Sequence, residues 1–109
     1  MKVTINKEDN NIIAIIEGSI DSKTAPDLQQ SLLPVISDTH KVIIDLSLVT
    51  FVSSAGLRVL LMVYRHLKTK EGKVVLVGLS EEIKDVMFMT GFITFFEICP
   101  SVKEALISS

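Results

Sequence analysis

The sequence predicts a single small α/β domain, residues 1–109, with a mixed and mostly parallel sheet that opens with an antiparallel hairpin and is covered by helices. Three observations lead to this prediction. The chain has 109 residues, 48% of them hydrophobic, which suffices for one core and leaves no room for a second. Two apolar runs around a polar turn come first, as in a hairpin. Short β-branched runs then alternate with helical patterns, as the strands of a parallel sheet do.

The predicted strands are short apolar runs bounded by polar residues. Residues 3–5 and 12–16 flank the polar turn at residues 8–11 and form the opening hairpin. Residues 41–46 and 73–78 are rich in β-branched side chains, which is typical of central strands that are buried on both faces.

The first helix is predicted to begin at Thr24. Thr24 is its expected N-cap, Pro26 lies in the first turn where a missing N–H does no harm, and Asp27 is placed to bond back to the cap. Pro34 falls inside the helical pattern and is expected to end or kink the helix near Leu33, because proline lacks the N–H that the helix needs.

Three further helices are predicted. The longest is expected to stop at Gly72, and its apolar residues recur at helical spacing. These residues are Leu57, Leu60, Leu61, Tyr64 and Leu67. The next helix is capped by Ser80 and ends before Gly91. The last one begins with a capping box formed by Ser101 and Glu104.

Residues 50–57 join a buried strand to the longest helix, and the rest of the chain is organised around them. They include two adjacent hydroxyls, Ser53 and Ser54, followed by a small residue and Gly56. A helix exposes unpaired backbone N–H groups at its start, and its dipole favours negative charge there. A serine at this place therefore has three possible roles: capping the helix, attacking a substrate or accepting a phosphate.

Composition excludes several classes of function. The net charge of -2 gives no electrostatic footprint for nucleic acid. The N-terminal residues become charged where a signal peptide would be apolar, and charged residues interrupt every long apolar run. The single cysteine, Cys99, excludes an internal disulfide. We therefore expect a cytoplasmic domain without membrane insertion and without direct contact with nucleic acid.

No motif for a cofactor or a metal is present in the sequence. Glycine-rich phosphate-binding loops are absent, and His40, His66 and Cys99 lack the spacing of a metal site. Ser54 lies at a strand-to-helix turn like the nucleophile of an α/β-hydrolase, but Val52 replaces one of the two glycines that such a turn needs. A small serine hydrolase is thus a remote alternative, and we expect no enzyme activity.

Residues 87–96 are the most apolar and aromatic part of the chain. They fit either a methionine-rich contact surface or core packing, which is favoured about three to one because a small domain needs its large side chains inside. Residues 92–98 are expected to form a last short strand. We expect a monomer because no helix has an unexplained second apolar face.

Four motifs follow one another in a characteristic order. They are Gly18-Ser19-Ile20-Asp21 before the first helix, Ile43-Ile44-Asp45-Leu46 before Phe51-Val52-Ser53-Ser54-Ala55-Gly56-Leu57, and Met89-Thr90-Gly91-Phe92 later in the chain. In this order they resemble the STAS domain, in particular the stand-alone bacterial anti-sigma factor antagonists. The resemblance covers nearly the whole chain, and the Ser-Ser-Ala-Gly-Leu junction is its most specific part.

The resemblance implies a partner switch controlled by phosphorylation. In that family the unmodified domain binds a serine-kinase anti-sigma factor, the kinase phosphorylates a serine at the start of the central helix and breaks the complex, and a PP2C-type phosphatase restores it. Aligned on the motif glycine, the modified serine falls on Ser54. Ser53, which replaces the motif aspartate, is the second candidate. The implied partner-binding residues are Asp21, Ser53, Ser54, Ala55, Gly56 and Leu57.

Other interpretations of the same residues stay open. Without the resemblance, capping alone would be preferred about two to one for Ser54, because hydroxyls are common caps. A turn aspartate near a helix start accounts equally well for Asp21. A second hypothesis keeps the fold and makes the chain a constitutive STAS scaffold subunit of a transporter or of a stress-signalling complex.

Overall fold

A five-stranded sheet forms the centre of the computed structural model, which describes residues 1–107. The strands are β1 (Lys2–Glu8), β2 (Asn11–Ile20), β3 (Lys41–Val52), β4 (Lys73–Val77) and β5 (Glu97–Cys99). They lie side by side in chain order. β1 and β2 pair antiparallel and the other neighbouring strands pair parallel, which confirms the predicted mixed sheet and its opening hairpin.

Helices cover both faces of the sheet. They are α1 (Ala25–Ile36), α2 (Ser54–Lys68), α3 (Glu81–Thr90) and α4 (Val102–Ile107), with a short 3-10 helix at Phe92–Phe95. On one face α1, α2 and α3 pack on alternate strand residues such as Ile44 and Leu76, all in one apolar cluster. On the opposite face Ala105 of α4 covers Ile43 and Val75. Each run of residues in β3 and β4 thus serves two cores, which explains why it is continuously apolar.

Of the two effects predicted for Pro34, an end or a kink of α1 near Leu33, the end is wrong. The helix continues to Ile36 with Pro34 inside it. The missing N–H of Pro34 affects only the last turn of the helix. Ile36 is fully buried there, and its burial stabilises that turn by an amount comparable to the lost hydrogen bond.

β3 is longer than predicted, since it ends at Val52 and not near residue 46. Its pairing with β2 shifts register twice, once between Ile15 and Glu17 and once between Gly18 and Ser19. A strand with such irregularities loses the regular inward and outward alternation of its side chains. The second half of β3 therefore has no strand pattern in the sequence.

The ends of the later elements agree with the sequence except in two places. Ser80 and Ser101 accept hydrogen bonds from Ile83 N–H at 3.2 Å and from Glu104 N–H at 3.3 Å, as capping residues do. Residues 92–98 do not form one strand, because the 3-10 helix precedes β5. α2 ends at Lys68 and not at Gly72 as predicted, and the turn after it contains Glu71 with a positive φ of 60°.

Candidate functional site

The predicted junction lies where the carboxyl ends of β2 and β3 meet the start of α2. The Ser53 N–H donates to the carbonyl oxygen of Ile20, the last residue of β2, at 2.8 Å. Ile20 is also paired with Val52, so both strands end at the same level. Asp21 follows directly, which brings its loop beside the junction. Binding sites of α/β domains are commonly found at this end of the parallel strands.

The two adjacent serines at the junction have different roles. Ser53 is the N-cap of α2, with an extended backbone (φ -87°, ψ 176°), and its Oγ accepts a hydrogen bond from Gly56 N–H at 3.3 Å. Ser54 is the first residue of the helix and is exposed, and no group within residues 1–107 hydrogen-bonds to its hydroxyl. Capping, one of the three roles open to a serine here, therefore belongs to Ser53.

Asp21 orders the loop that leads into α1. Its Oδ1 accepts from Lys23 N–H at 2.9 Å and from Thr24 N–H at 3.1 Å. The Thr24 hydroxyl accepts from Asp21 N–H and donates to the Ser19 carbonyl, each at 2.9 Å. Thr24 is the N-cap residue of α1 but its side chain makes no cap bond. The predicted capping box of Thr24 and Asp27 is therefore wrong, because the loop already uses that hydroxyl.

The residues that follow Ser54 are partly or fully buried and determine how closely α2 packs on β2. Ala55 is half-buried, and Gly56 and Leu57 are buried. A Cβ on Gly56 would lie 2.7 Å from Ile20 Cγ2 and 3.0 Å from the Ile20 carbonyl oxygen. Only a residue without a side chain lets α2 approach β2 this closely. Among the implied partner-binding residues, Ser54 is the exposed one, and the half-buried ones are Asp21, Ser53 and Ala55.

Nearly the whole chain, and not only this junction, is similar to one known family. The family model of the STAS domain matches residues 2–105. The chain belongs to the STAS family. This confirms the resemblance drawn from the motifs, and with it the predicted fold class.

Proteins named as antagonists of anti-sigma factors are similar to this STAS domain over most of their length. A proposed anti-sigma factor antagonist of Bordetella bronchiseptica, BtrV, is 33% identical over 106 residues, which are 96% of this chain and 91% of that protein. The anti-sigma-B factor antagonist of Bacillus subtilis is 29% identical over 90% of each chain. The crystal structure of an anti-sigma factor antagonist from Mycobacterium paratuberculosis matches with a TM-score of 0.86 and 29% identity, covering 96% of this chain and 90% of that one.

The STAS domain exposes large apolar side chains on β3 and α3, and for Phe88 and Met89 this fits the contact surface that was the less favoured interpretation of residues 87–96. The exposed side chains are Phe51, Val86, Phe88 and Met89, with 54%, 44%, 73% and 85% of their surface accessible. Core packing of residues 87–96 is confirmed for Met87 and Phe96 but wrong for Phe88 and Met89. The helical period could have predicted this exposure. Ile83 and Met87 share the buried face of α3, and Phe88 and Met89, which follow Met87, point away from that face. The argument for a monomer also fails, because α3 has a second apolar face.

Other kinds of site have little support in the described part of the STAS domain. Within residues 1–107 no group of three or more His, Cys, Asp and Glu side chains is placed to hold a metal ion. His40 is exposed and His66 is half-buried. No helix in the same range is long and apolar enough to cross a membrane.

Replacing Ser53 by alanine is expected to lower the free energy of unfolding by about 1 kcal/mol, since it removes the acceptor for Gly56 N–H. Ser54→Ala is the matched control and should change stability by less than about 0.5 kcal/mol, because that hydroxyl is exposed and makes no bond. Urea unfolding followed by circular dichroism measures both variants. An equal loss in the two would contradict the assignment of the cap to Ser53.

The stability of the domain is expected to depend on pH through Asp21. Hydrogen bonds from Thr24 N–H and Lys23 N–H hold the pKa of Asp21 below its ordinary value of 3.8. Because the folded pKa is below the unfolded one, the carboxylate stabilises the fold above the unfolded pKa, and this is lost as pH falls through the folded pKa. Asp21→Asn should therefore be less stable than the parent protein near neutral pH, and the difference should shrink below roughly pH 4. Urea unfolding across this range tests it, and a difference independent of pH would contradict it.

Proposed function

We propose that this STAS domain is an anti-sigma factor antagonist that acts as a phosphorylation-controlled partner switch. Its unphosphorylated form binds a serine-kinase anti-sigma factor, and phosphorylation of Ser54 by that kinase releases it. A PP2C-type phosphatase restores the binding form. The names of the Bordetella and Bacillus relatives support the general role. The observation that carries the switch is the exposed and unbonded hydroxyl of Ser54 at the start of α2.

Ser54 is suited to receive a phosphate without damage to the fold. A phosphate adds about -1.5 to -2 charges, and the free N–H groups and the dipole at the start of α2 favour negative charge there. The first turn of α2 holds no acidic residue that would repel the phosphate. The cap is made by Ser53 and stays in place when Ser54 is modified. The modification therefore changes the surface and leaves the helix intact.

Ser53 is a poorer acceptor for the kinase. Ser53 is half-buried, and its Oγ already accepts a hydrogen bond from Gly56 N–H. A kinase that modified Ser53 would first have to break the cap of α2, at a cost of about 1 kcal/mol. This contrast supports Ser54 as the modified residue.

Asp21 is the proposed second contact for the kinase. Its carboxylate is charged at neutral pH, and its hydrogen bonds from Lys23 N–H and Thr24 N–H order the loop beside the start of α2. An Asp21→Asn variant that is phosphorylated at the normal rate would remove Asp21 from the site. Under this proposal the domain works in the cytoplasm with its kinase and has no catalysis of its own.

The proposal is tested first by the intact mass of the protein purified from its native cells, with the phosphate mapped to a residue. Each serine-kinase anti-sigma factor of the same organism is then purified and incubated with the domain and ATP. One of them should modify the parent protein and Ser53→Ala, but not Ser54→Ala. Undiminished incorporation in Ser54→Ala would contradict the site. Recovery of transporter subunits and no kinase in a pull-down would favour the constitutive scaffold instead.

A further inference from the structure

We propose that an apolar groove beside Ser54 is part of the surface that binds the anti-sigma factor, and that phosphorylation does not change this part. The groove receives one bulky apolar side chain of that partner, and a lysine or an arginine flanks this side chain in the partner. This inference rests on the proposed function, because it names what the same partner presents. The groove, called here the β3–α3 groove, has a volume of about 180 Å³. Its main lining residues are Phe51, Val52, Leu57, Glu82, Val86 and Met87.

The groove adjoins the phosphorylation site along the chain. Val52 and Leu57 line it, and in the chain they enclose the segment that contains Ser54. A protein large enough to contact the Ser54 hydroxyl covers several hundred Å² around it. Such a partner therefore also covers the β3–α3 groove.

The size and lining of the groove fit a single apolar side chain. A cavity of about 150 Å³ lined by aliphatic side chains binds benzene in another protein, so about 180 Å³ accepts a leucine, methionine or phenylalanine. Phe51 and Val86 stand at its rim with 54% and 44% of their surface accessible. An apolar anchor in a pocket, surrounded by residues that exclude water, is the usual form of an interface hot spot.

The charges along the groove favour basic residues next to the apolar side chain of the partner. Glu82 lines the groove, and Asp85, three residues further along α3, lies on the same side of the helix. Both are exposed, and within residues 1–107 neither forms an ion pair. Carboxylates without a cation beside a docking groove complement a basic partner. They also repel anionic lipid headgroups, which favours a protein as the occupant.

The two parts of this surface have different tasks. Ser54 is not one of the residues that line the groove. The groove therefore offers the same apolar contact before and after phosphorylation of Ser54. It supplies affinity and position, and the charge on Ser54 decides whether the neighbouring contact is tolerated.

The test uses the kinase that modifies Ser54 in the experiment above and measures its affinity for the unphosphorylated domain by titration calorimetry. Phe51→Ala and Val86→Asp should each weaken binding by at least about tenfold, as expected for residues at a hot spot. Phe88→Ala is the matched control. Phe88 is 73% exposed but lies about 200° around α3 from Val86, so its removal should leave the affinity unchanged. All three changes are at exposed positions, and thermal unfolding checks that the variants are folded.

A second measurement follows the groove directly in the parent protein. In a spectrum of methionine ¹³C-methyl groups, addition of the kinase should shift Met87, which lines the groove, and leave Met62 of α2 unshifted. Unchanged affinity of Phe51→Ala and Val86→Asp with an unshifted Met87 would overturn the groove proposal and leave the phosphorylation switch standing. A chain that binds none of the kinases would overturn both. Self-association that Phe51→Ala abolishes would assign the groove to a second copy of the chain and overturn the proposed occupant.

Discussion

A phosphate on Ser54 is expected to weaken binding of the anti-sigma factor by about 30-fold to several thousand-fold while the domain stays folded. The unmodified hydroxyl is exposed and makes no bond, so a docked partner contacts it directly. When the partner docks, a phosphate at this position must lose its bound water or lie against negative charge of the partner. Either costs roughly 2 to 5 kcal/mol of binding free energy. At about 1.4 kcal/mol per decade of affinity, this gives the expected range. Stability should not fall, because the start of α2 stabilises added negative charge.

The measurement uses protein with phosphoserine encoded at position 54, so that no kinase is needed to prepare it. Calorimetric titration with the anti-sigma factor gives the affinity, and thermal unfolding gives the stability. Phosphoserine encoded at Ser37 is the matched control, because that residue is exposed and follows α1 at the opposite end of the sheet. Equal affinity of the unmodified and Ser54-phosphorylated proteins would contradict the switch. A large fall in the melting temperature would mean that unfolding, and not repulsion, releases the partner.

The second large effect is a loss of stability, which is expected when Gly78, in the turn between β4 and α3, is replaced by alanine. Its φ is +71°, and an added Cβ would lie 2.6 Å from the Cβ and 2.9 Å from the backbone nitrogen of Ser47. Gly78→Ala thus combines an unfavourable backbone conformation, about 1 to 2 kcal/mol, with overpacking, about 1 to 3 kcal/mol. We expect a loss of about 2 to 5 kcal/mol, a large part of the 5 to 15 kcal/mol of a typical domain.

Gly91 provides the control for this prediction. Its φ is +81°, close to that of Gly78, but an added Cβ meets nothing within 4 Å. Gly91→Ala should therefore lose only the backbone part, about 1 to 2 kcal/mol. Urea unfolding of both variants separates the two contributions, and equal losses would show that the contact with Ser47 relaxes freely. Since Gly78 leads into α3, a shift there should also change the β3–α3 groove.

Prediction from the sequence worked best where the deciding interactions are local. The hairpin, the long helix and the caps at Ser80 and Ser101 depend on neighbours within a few residues, and all are present. It failed where distant contacts outweigh local preference. Pro34 is retained in α1 because Ile36 is buried against the rest of the core. β3 extends to Val52 because β2 pairs with it through two register shifts.

The sequence by itself determined the family, the order of the elements, and the position of two hydroxyls at the start of the longest helix. Only the tertiary structure decided that Ser53 is used as the cap and Ser54 faces solvent, and that Phe51, Val86 and Met89 are exposed and not in the core. The physical reason is that spacing along the chain defines the faces of a helix or strand. Which face is covered depends on elements distant in sequence that pack against it, and the exposure of a candidate site follows from that packing.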